Sequence, residues 1–284
     1  MIRQLLKKAN MNGIAAGAIA TGVLPAEGTY YSVFLVAKTA AGVALTRAEI
    51  LADIGNVKAM INGEEIVNCD VAVLLDLQKY YGDQIGAGNV DGIIPIYFER
   101  PHLATDAERS VFALGMANVS SFTLEAAIDG VAQLATLEIF AEVSNENRLL
   151  GQHVRLLKYP QSFAQTGDQE ITTLPFINDA SKAYLALHIT AGAGTFNEVT
   201  VRIGGNAIFD RVGVNLNKVL LQKDLRNPQT GYYHVDFARP NDLKGLLPMA
   251  GIKDFRQTIN WITAAPTNFN IYAETLHGLK VAQG

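Results

Sequence analysis

Phe98-Glu99-Arg100-Pro101 returns in the second half of the chain as Phe237-Ala238-Arg239-Pro240. Working outward from these two stretches, other landmarks pair in the same order. Ahead of each lies an Ile-x-Gly turn, Ile61-Asn62-Gly63 and Ile203-Gly204-Gly205. Behind each lies a strand-like run, Ile139-Phe140-Ala141-Glu142 and Ile271-Tyr272-Ala273-Glu274. The spacing drifts slowly, as it does when the loops of a duplicated domain diverge; a solenoid would show shorter and more numerous repeats. The sequence therefore reads as two tandem copies of one β-rich domain.

Period-two runs support this. Phe122, Leu124, Ala126 and Ile128 fall on one side of a strand, with Thr123 and Glu125 on the other. Leu137, Ile139, Ala141 and Val143 alternate against Glu138 and Glu142. In the second copy Phe269, Ile271, Ala273 and Thr275 face one way, with Asn270, Tyr272 and Glu274 opposite. Such alternation sets one face on a core and the other in a polar setting, as antiparallel sheets do. Tyr31-Ser32-Val33-Phe34-Leu35-Val36 opens the first copy, and Tyr184-Leu185-Ala186-Leu187-His188-Ile189 is its counterpart. Asn62-Gly63 and Gly204-Gly205 are hairpin pairs that accept positive φ. The prolines Pro101 and Pro240 lack a ladder donor, so each strand stops there or lies at an edge.

Helix signals are few. Thr46-Arg47-Ala48-Glu49 is a capping-box pattern ahead of Ile50 and Ile54, and the second copy lacks it. Asp106 to Leu114 allows another short turn of helix. Between the copies, from Asn145 to Gln169, alternation fades and the chain reads as connection. The expected organisation is an N-terminal arm over 1–28, a first domain over 29–150, and a linker with the second domain over 151–284.

The arm carries Arg3, Lys7 and Lys8, then the Ala/Gly-rich stretch 13–20. Its order resembles a secretory leader, but Asn10, Asn12, Gly13 and Gly17 interrupt it and it is far short of a membrane span. An ordered arm could lie on a neighbouring subunit, on a membrane surface, or on its own domain.

The 284 residues are 49% hydrophobic and 18% charged, below the roughly 25% charged of soluble domains. That composition builds a large core and leaves neutral surface for neighbours. The net charge of −4 excludes a binder held to nucleic acid by long-range charge. Cys69 is the single cysteine, so no intrachain disulfide or paired-cysteine zinc site exists; it reads as a small buried apolar residue.

The sequence carries no recognisable catalytic or metal-binding motif. His102, His153, His188, His234 and His277 form no metal-ligand spacing. His188 and His234 lie in strand-like runs, where a hydrogen-bonded structural role is expected. There is no nucleophile elbow and no phosphate loop; Gly86-Ala87-Gly88-Asn89-Val90-Asp91-Gly92 has its third glycine one place too late for a dinucleotide fingerprint. A loop-held calcium ion needs only oxygen ligands, but no ligand spacing identifies one. Arg100 and Arg239 recur at matching strand ends. A duplicated fold keeps what the fold needs, so each reads as a fork tying a strand end to nearby carbonyls or a carboxylate, ahead of an anion-binding role.

The ordered set of Met1-Ile2-Arg3 with Leu5-Leu6-Lys7-Lys8, Leu24-Pro25, Thr29-Tyr30-Tyr31, Thr46 with Ile50, Ile61-Asn62-Gly63, Asp91 to Phe98 and Phe122-Thr123-Leu124-Glu125 continues in Pro228-Gln229-Thr230-Gly231 and His234-Val235-Asp236-Phe237. Taken together it resembles the double jelly-roll major capsid proteins of tailless, membrane-containing icosahedral bacteriophages, of the corticovirus PM2 type. The resemblance implies an all-β chain of two tandem eight-stranded jelly rolls with short connecting helices. It further implies a homotrimer of pseudo-hexagonal outline, tiling an icosahedral shell over an inner membrane. Neighbouring capsomers, penton and minor capsid proteins and peripheral lipid are its implied partners, with no catalytic residue and no cofactor. Arg3, Lys7 and Lys8 would then meet anionic lipid or a neighbouring subunit. The loops are short, so tall outer towers are not expected. Two competing readings are a carbohydrate-binding or adhesive β-sandwich, for which Trp261 is the sole tryptophan, and a bicupin enzyme, which would need clustered histidines.

Overall fold

A computed structural model describes residues 2–278 apart from 83–91, 104, 163–164, 172–173, 175–178, 193, 239–245, 253 and 263–267. The chain divides into two compact units, 1–157 and 158–284.

The first unit runs β1 (Gln4–Asn10), β2 (Ile19–Leu24), β3 (Thr29–Lys38), α1 (Arg47–Asp53), β4 (Ile54–Ile61), β5 (Glu64–Asp70), α2 (Val71–Tyr80), β6 (Ile93–Tyr97), α3 (Asp106–Ser110), β7 (Leu114–Gly115), β8 (Phe122–Ile128) and β9 (Thr136–Ser144). Its sheets have the orders β1-β9-β3-β6, with β7 beside β3, and β2-β8-β4-β5. Counting the strands without the two-residue β7, one sheet holds the first, eighth, third and sixth, and the other the second, seventh, fourth and fifth. That is the jelly-roll order.

The physical cause is the alternation. Val33, Leu35 and Ala37 on β3, Leu137, Ile139 and Ala141 on β9, Val57, Ala59 and Ile61 on β4, and Phe122, Leu124, Ala126 and Ile128 on β8 are all buried. Tyr30 from one sheet meets Phe122 from the other edge-on, with centroids 5.1 Å apart. Burying one such aromatic side chain stabilises by roughly 1.5–3 kcal/mol. Asn62 (φ 52°) and Gly63 (φ 82°) both take the left-handed conformation that the β4–β5 hairpin requires. Thr46 and Glu49 form the expected capping box on α1, and Thr105 and Glu108 form another on α3.

β10 (His153–Gln161) begins in the first unit, where Leu156 and Leu157 pair in parallel with Val67 and Asn68 of β5. It continues as the first strand of the second unit. There follow β11 (Gly167–Ile171), β12 (Lys182–Thr190), β13 (Phe196–Ile203), β14 (Asn206–Gly213), α4 (Val214–Lys223), β15 (Tyr232–Asp236), β16 (Leu247–Pro248), β17 (Phe255–Trp261) and β18 (Phe269–His277). The orders are β15-β12-β18-β10 and β11-β17-β13-β14, with β16 beside β12. This repeats the first unit strand for strand, and α4 holds the place of α2. The core gathers Trp261, Phe196 and Phe269, with Trp261 stacked on Phe196 at 4.8 Å. Trp261 is therefore core, not an exposed sugar platform.

Two expectations need correction, and a third gains detail. The segment read as an arm forms β1 and β2, the first two strands of the first unit: β1 pairs with β9 from Gln4↔Val143 to Asn10↔Glu138, and β2 pairs with β8. The segment read as connection contains β10 and β11, the same two strands of the second unit. These strands lie at sheet edges or alternate polar residues with few apolar ones, so they carry no period-two signal. Lastly, the side of β18 expected in a polar setting is polar but enclosed: Tyr272 and Glu274 are buried, as Ile271 and Ala273 are on the core side.

Candidate functional site

Arg3 and Lys7 are engaged within the first unit. The Arg3 guanidinium lies 4.0 Å from the centre of the Tyr31 ring and bridges Glu99 at 3.0 Å and Glu142 at 3.3 Å. Burial tends to lower its pKa, but the two carboxylates outweigh that and hold it up. Burial pushes the Glu99 carboxyl above its ordinary range, against the pull of Arg3 and with the push of Glu142. Lys7 and Lys38 both reach Glu138, which their hydrogen bonds hold below the usual carboxylate range. The Lys8 ammonium lies 5.8 Å from the Tyr30 ring.

Arg100 stands over the ring of Tyr81 at 5.3 Å, and Tyr81 stacks on His102 at 4.3 Å. The layered cation and rings tie the end of β6 to the end of α2. Arg239 lies outside the described residues. The strand end beside it is held by two residues that the repeat did not disclose. Buried Arg226 donates to Asp236 at 2.8 Å and to the Ala238 carbonyl at 3.1 Å. Neither has a matching partner in the first copy, so a search for repeats passes over them.

The side of the β15-β12-β18 sheet that faces away from the hydrophobic core is also enclosed, and it holds a polar cluster. His188 on β12 and His234 on β15 are register partners, with their Nδ1 atoms 2.8 Å apart. Glu274 on β18 lies 3.7 Å from His188 Nε2. Asn217 of α4 donates to the His234 carbonyl at 2.9 Å. Burial and the neighbouring His188 hold the His234 imidazole well below its ordinary pKa, with Glu274 opposing. The two histidines thus sit in strands and bond to each other.

A cleft of about 490 Å³ lies in the first unit, lined by Arg3, Tyr31, Glu99, Asp106, Arg109 and Ser110. Ser110 Oγ donates to the Asp106 carbonyl rather than to a base, and Glu99 is committed to Arg3, so the cleft assembles no nucleophile with its base. Among the described residues, no group of three or more His, Cys, Asp or Glu is set to hold a metal ion. Cys69 is buried. The arrangement supplies walls and staples.

Comparison with known proteins agrees. The family described as "Viral coat protein P2 N-terminal domain" matches residues 5–144, and "Viral coat protein P2 C-terminal domain" matches residues 154–279. No curated protein sequence matches the chain. Among solved structures, the fold is similar to the major capsid protein P2 from bacteriophage PM2, with a TM-score of 0.83 at 21% identity over 100% of both chains. It is also similar to the STIV major capsid protein, with a TM-score of 0.67 at 11% identity over 97% of this chain and 96% of that one. The PBCV-1 VP54 capsid protein gives a TM-score of 0.63 at 13% identity over 97% and 94%.

Proposed function

The chain belongs to the viral coat protein P2 family, and from that premise we propose that three copies form a pseudo-hexagonal capsomer that tiles an icosahedral shell over an inner membrane. It is a structural coat protein of the virion, not an enzyme. One observation carries the trimer reading: the second unit repeats the first strand for strand, down to the hairpin after β13, where Gly204 and Gly205 match Asn62 and Gly63. Two like units in one chain, taken three times, present six similar sides, and a six-sided tile packs on every side. Low charge and neutral surface suit subunits that bury their flanks against copies of themselves. A six-sided tile cannot close a five-fold vertex, so pentons and minor positions fall to other proteins. The inner membrane enters this reading through the resemblance to membrane-containing phages. Of the three placements considered for the segment that carries Arg3, Lys7 and Lys8, its own domain is the one the contacts support, because Arg3 and Lys7 are bridged to carboxylates of their own unit; this argues against a lipid role for these two charges.

Sedimentation equilibrium of the purified chain tests the trimer. The expected particle has a mass of about 92 kDa, three times the 30.6 kDa chain. A strict monomer across micromolar concentrations would sink the reading.

A further inference from the structure

The first strand of each unit carries the same three residues, Leu5-Leu6-Lys7 in β1 and Leu156-Leu157-Lys158 in β10. β10 has partners along both edges: β5 lies parallel to Leu156 and Leu157, and β18 lies on the other side. β1 ends its sheet beside β9, and β14, the counterpart of β5, ends its sheet beside β13. A single chain therefore makes the β5–β10 pairing once. It leaves the matching edges of β14 and β1 open among the described residues.

Burial follows the same division. Leu156 is buried, whereas Leu5 is 63% exposed. β5 buries Ile66, Val67 and Cys69, and β14 buries no residue. Seven of the ten residues of α2 are buried, against Asn217 and Leu221 alone in α4. Of five large apolar side chains exposed on the second unit's described residues, four (Ile208, Leu216, Val219 and Leu225) come from β14, α4 and the turn after it. Leu225 has φ 60°, the left-handed conformation that favours glycine or asparagine at a helix end. An exposed leucine there carries strain and apolar hydration with no burial in its own unit to offset them. Scattered apolar residues need no explanation, but a concentrated set beside an open strand edge marks a contact surface.

We infer that β1 of a second copy of this chain adds in parallel to the open edge of β14, as β10 does to β5. Counting from the hairpin glycines Gly63 and Gly205, the places of Val67 and Asn68 fall to Phe209 and Asp210. Leu5 and Leu6 of the incoming strand take the places of Leu156 and Leu157 and cover the apolar surface of β14 and α4. Main-chain hydrogen bonds and buried leucines hold the contact together. The irregularity between Lys7 and Ala9 limits the regular edge to the part of β1 that carries Leu5-Leu6-Lys7. The surface given and the surface received differ, so the contact is head-to-tail, and the trimer reading requires that three such contacts close as a ring. This inference rests on the trimer reading and supplies its three interchain contacts.

Two substitutions leave the lone chain intact and load the contact with charge. Leu5→Lys places a lysine opposite Glu142, the register partner of Leu5 on β9, and Val219→Glu places a glutamate one turn before Lys223 on the outer side of α4. Each is expected to weaken trimer formation at least about 100-fold, since a charge that is solvated beside its partner in the lone chain loses that water in the contact, and the desolvation penalty can exceed the attraction of the pair. Hydrogen-exchange mass spectrometry on the wild-type trimer should show the amides of residues 206–213 protected, and fast in either variant. Trimers that persist in both variants, or β14 amides that exchange as fast in the wild-type trimer as in the dissociated chain, would overturn this inference and leave the trimer standing. A wild-type chain that never trimerises would overturn both.

Discussion

His188 and His234 face each other across β12 and β15 with their Nδ1 atoms 2.8 Å apart, both fully enclosed. One nitrogen must donate and the other accept, so the contact holds one proton and not two. Burial and His188 depress the His234 pKa, and Glu274 offsets this only in part. The unfolded chain therefore binds more protons than the folded one once the pH falls below about 6.5. The stability of the second unit is full above that value and falls as acid is added. The expected urea midpoint is lower at pH 5 than at pH 7.5, and His234→Gln should shrink the difference. An unchanged midpoint between the two would show that the pair does not control acid sensitivity.

The buried ion pair of Arg226 and Asp236 also locks the end of β15 through the Ala238 carbonyl. Asp236→Ala leaves an enclosed guanidinium uncompensated, which costs about 3–5 kcal/mol. Thermal unfolding should show this as a large loss, reduced when Arg226→Met is added. A loss under 1 kcal/mol from Asp236→Ala would contradict the geometry.

Asp53 plays a comparable part in the first unit. Its buried carboxylate accepts from the backbone amides of Ala132, Gln133 and Leu134, fixing the loop between β8 and β9 to the end of α1. Asp53→Ala should cost about 2–3 kcal/mol and speed exchange of those three amides. Amides that remain as protected as in the wild type would show that the loop holds itself.

What was legible in the sequence follows from where the signal lies physically. Strands with one face in the core wrote their alternation plainly, as Phe122 to Ile128 and Leu137 to Val143 did, and the hairpin at Asn62-Gly63 announced its positive φ. The first two strands of each unit were illegible. β1 exposes most of its side chains, and β10 and β11 bury few of theirs. α2 begins with the apolar run Val71-Ala72-Val73-Leu74-Leu75, and Asp70 gives it no side-chain cap, so no helix start signal marks it. His188 and His234 are each expected to be hydrogen-bonded within strands, and they bond to each other; their pairing and the nearness of Glu274 were hidden because β18 buries both of its faces. Arg226 and Asp236 have no repeated counterpart, so only coordinates disclose them.

The state of the basic residues gives a lipid prediction. Arg3 and Lys7 are bridged to Glu99, Glu142 and Glu138, which leaves little free positive charge for an anionic headgroup, at about 1 kcal/mol per basic residue. Co-sedimentation with vesicles carrying 30% phosphatidylglycerol, a composition chosen to reveal weak attraction, should show little binding at 0.15 M salt. Strong binding abolished by Arg3→Ala with Lys7→Ala would assign these residues to the membrane instead.

Electron microscopy of the purified protein, imaged down the particle axis, decides whether three chains form the six-sided tile. The expected class averages have a six-lobed outline with three-fold symmetry, two lobes for each of three chains. Two-lobed single chains at every concentration, or a closed dimer, would contradict the trimeric tile.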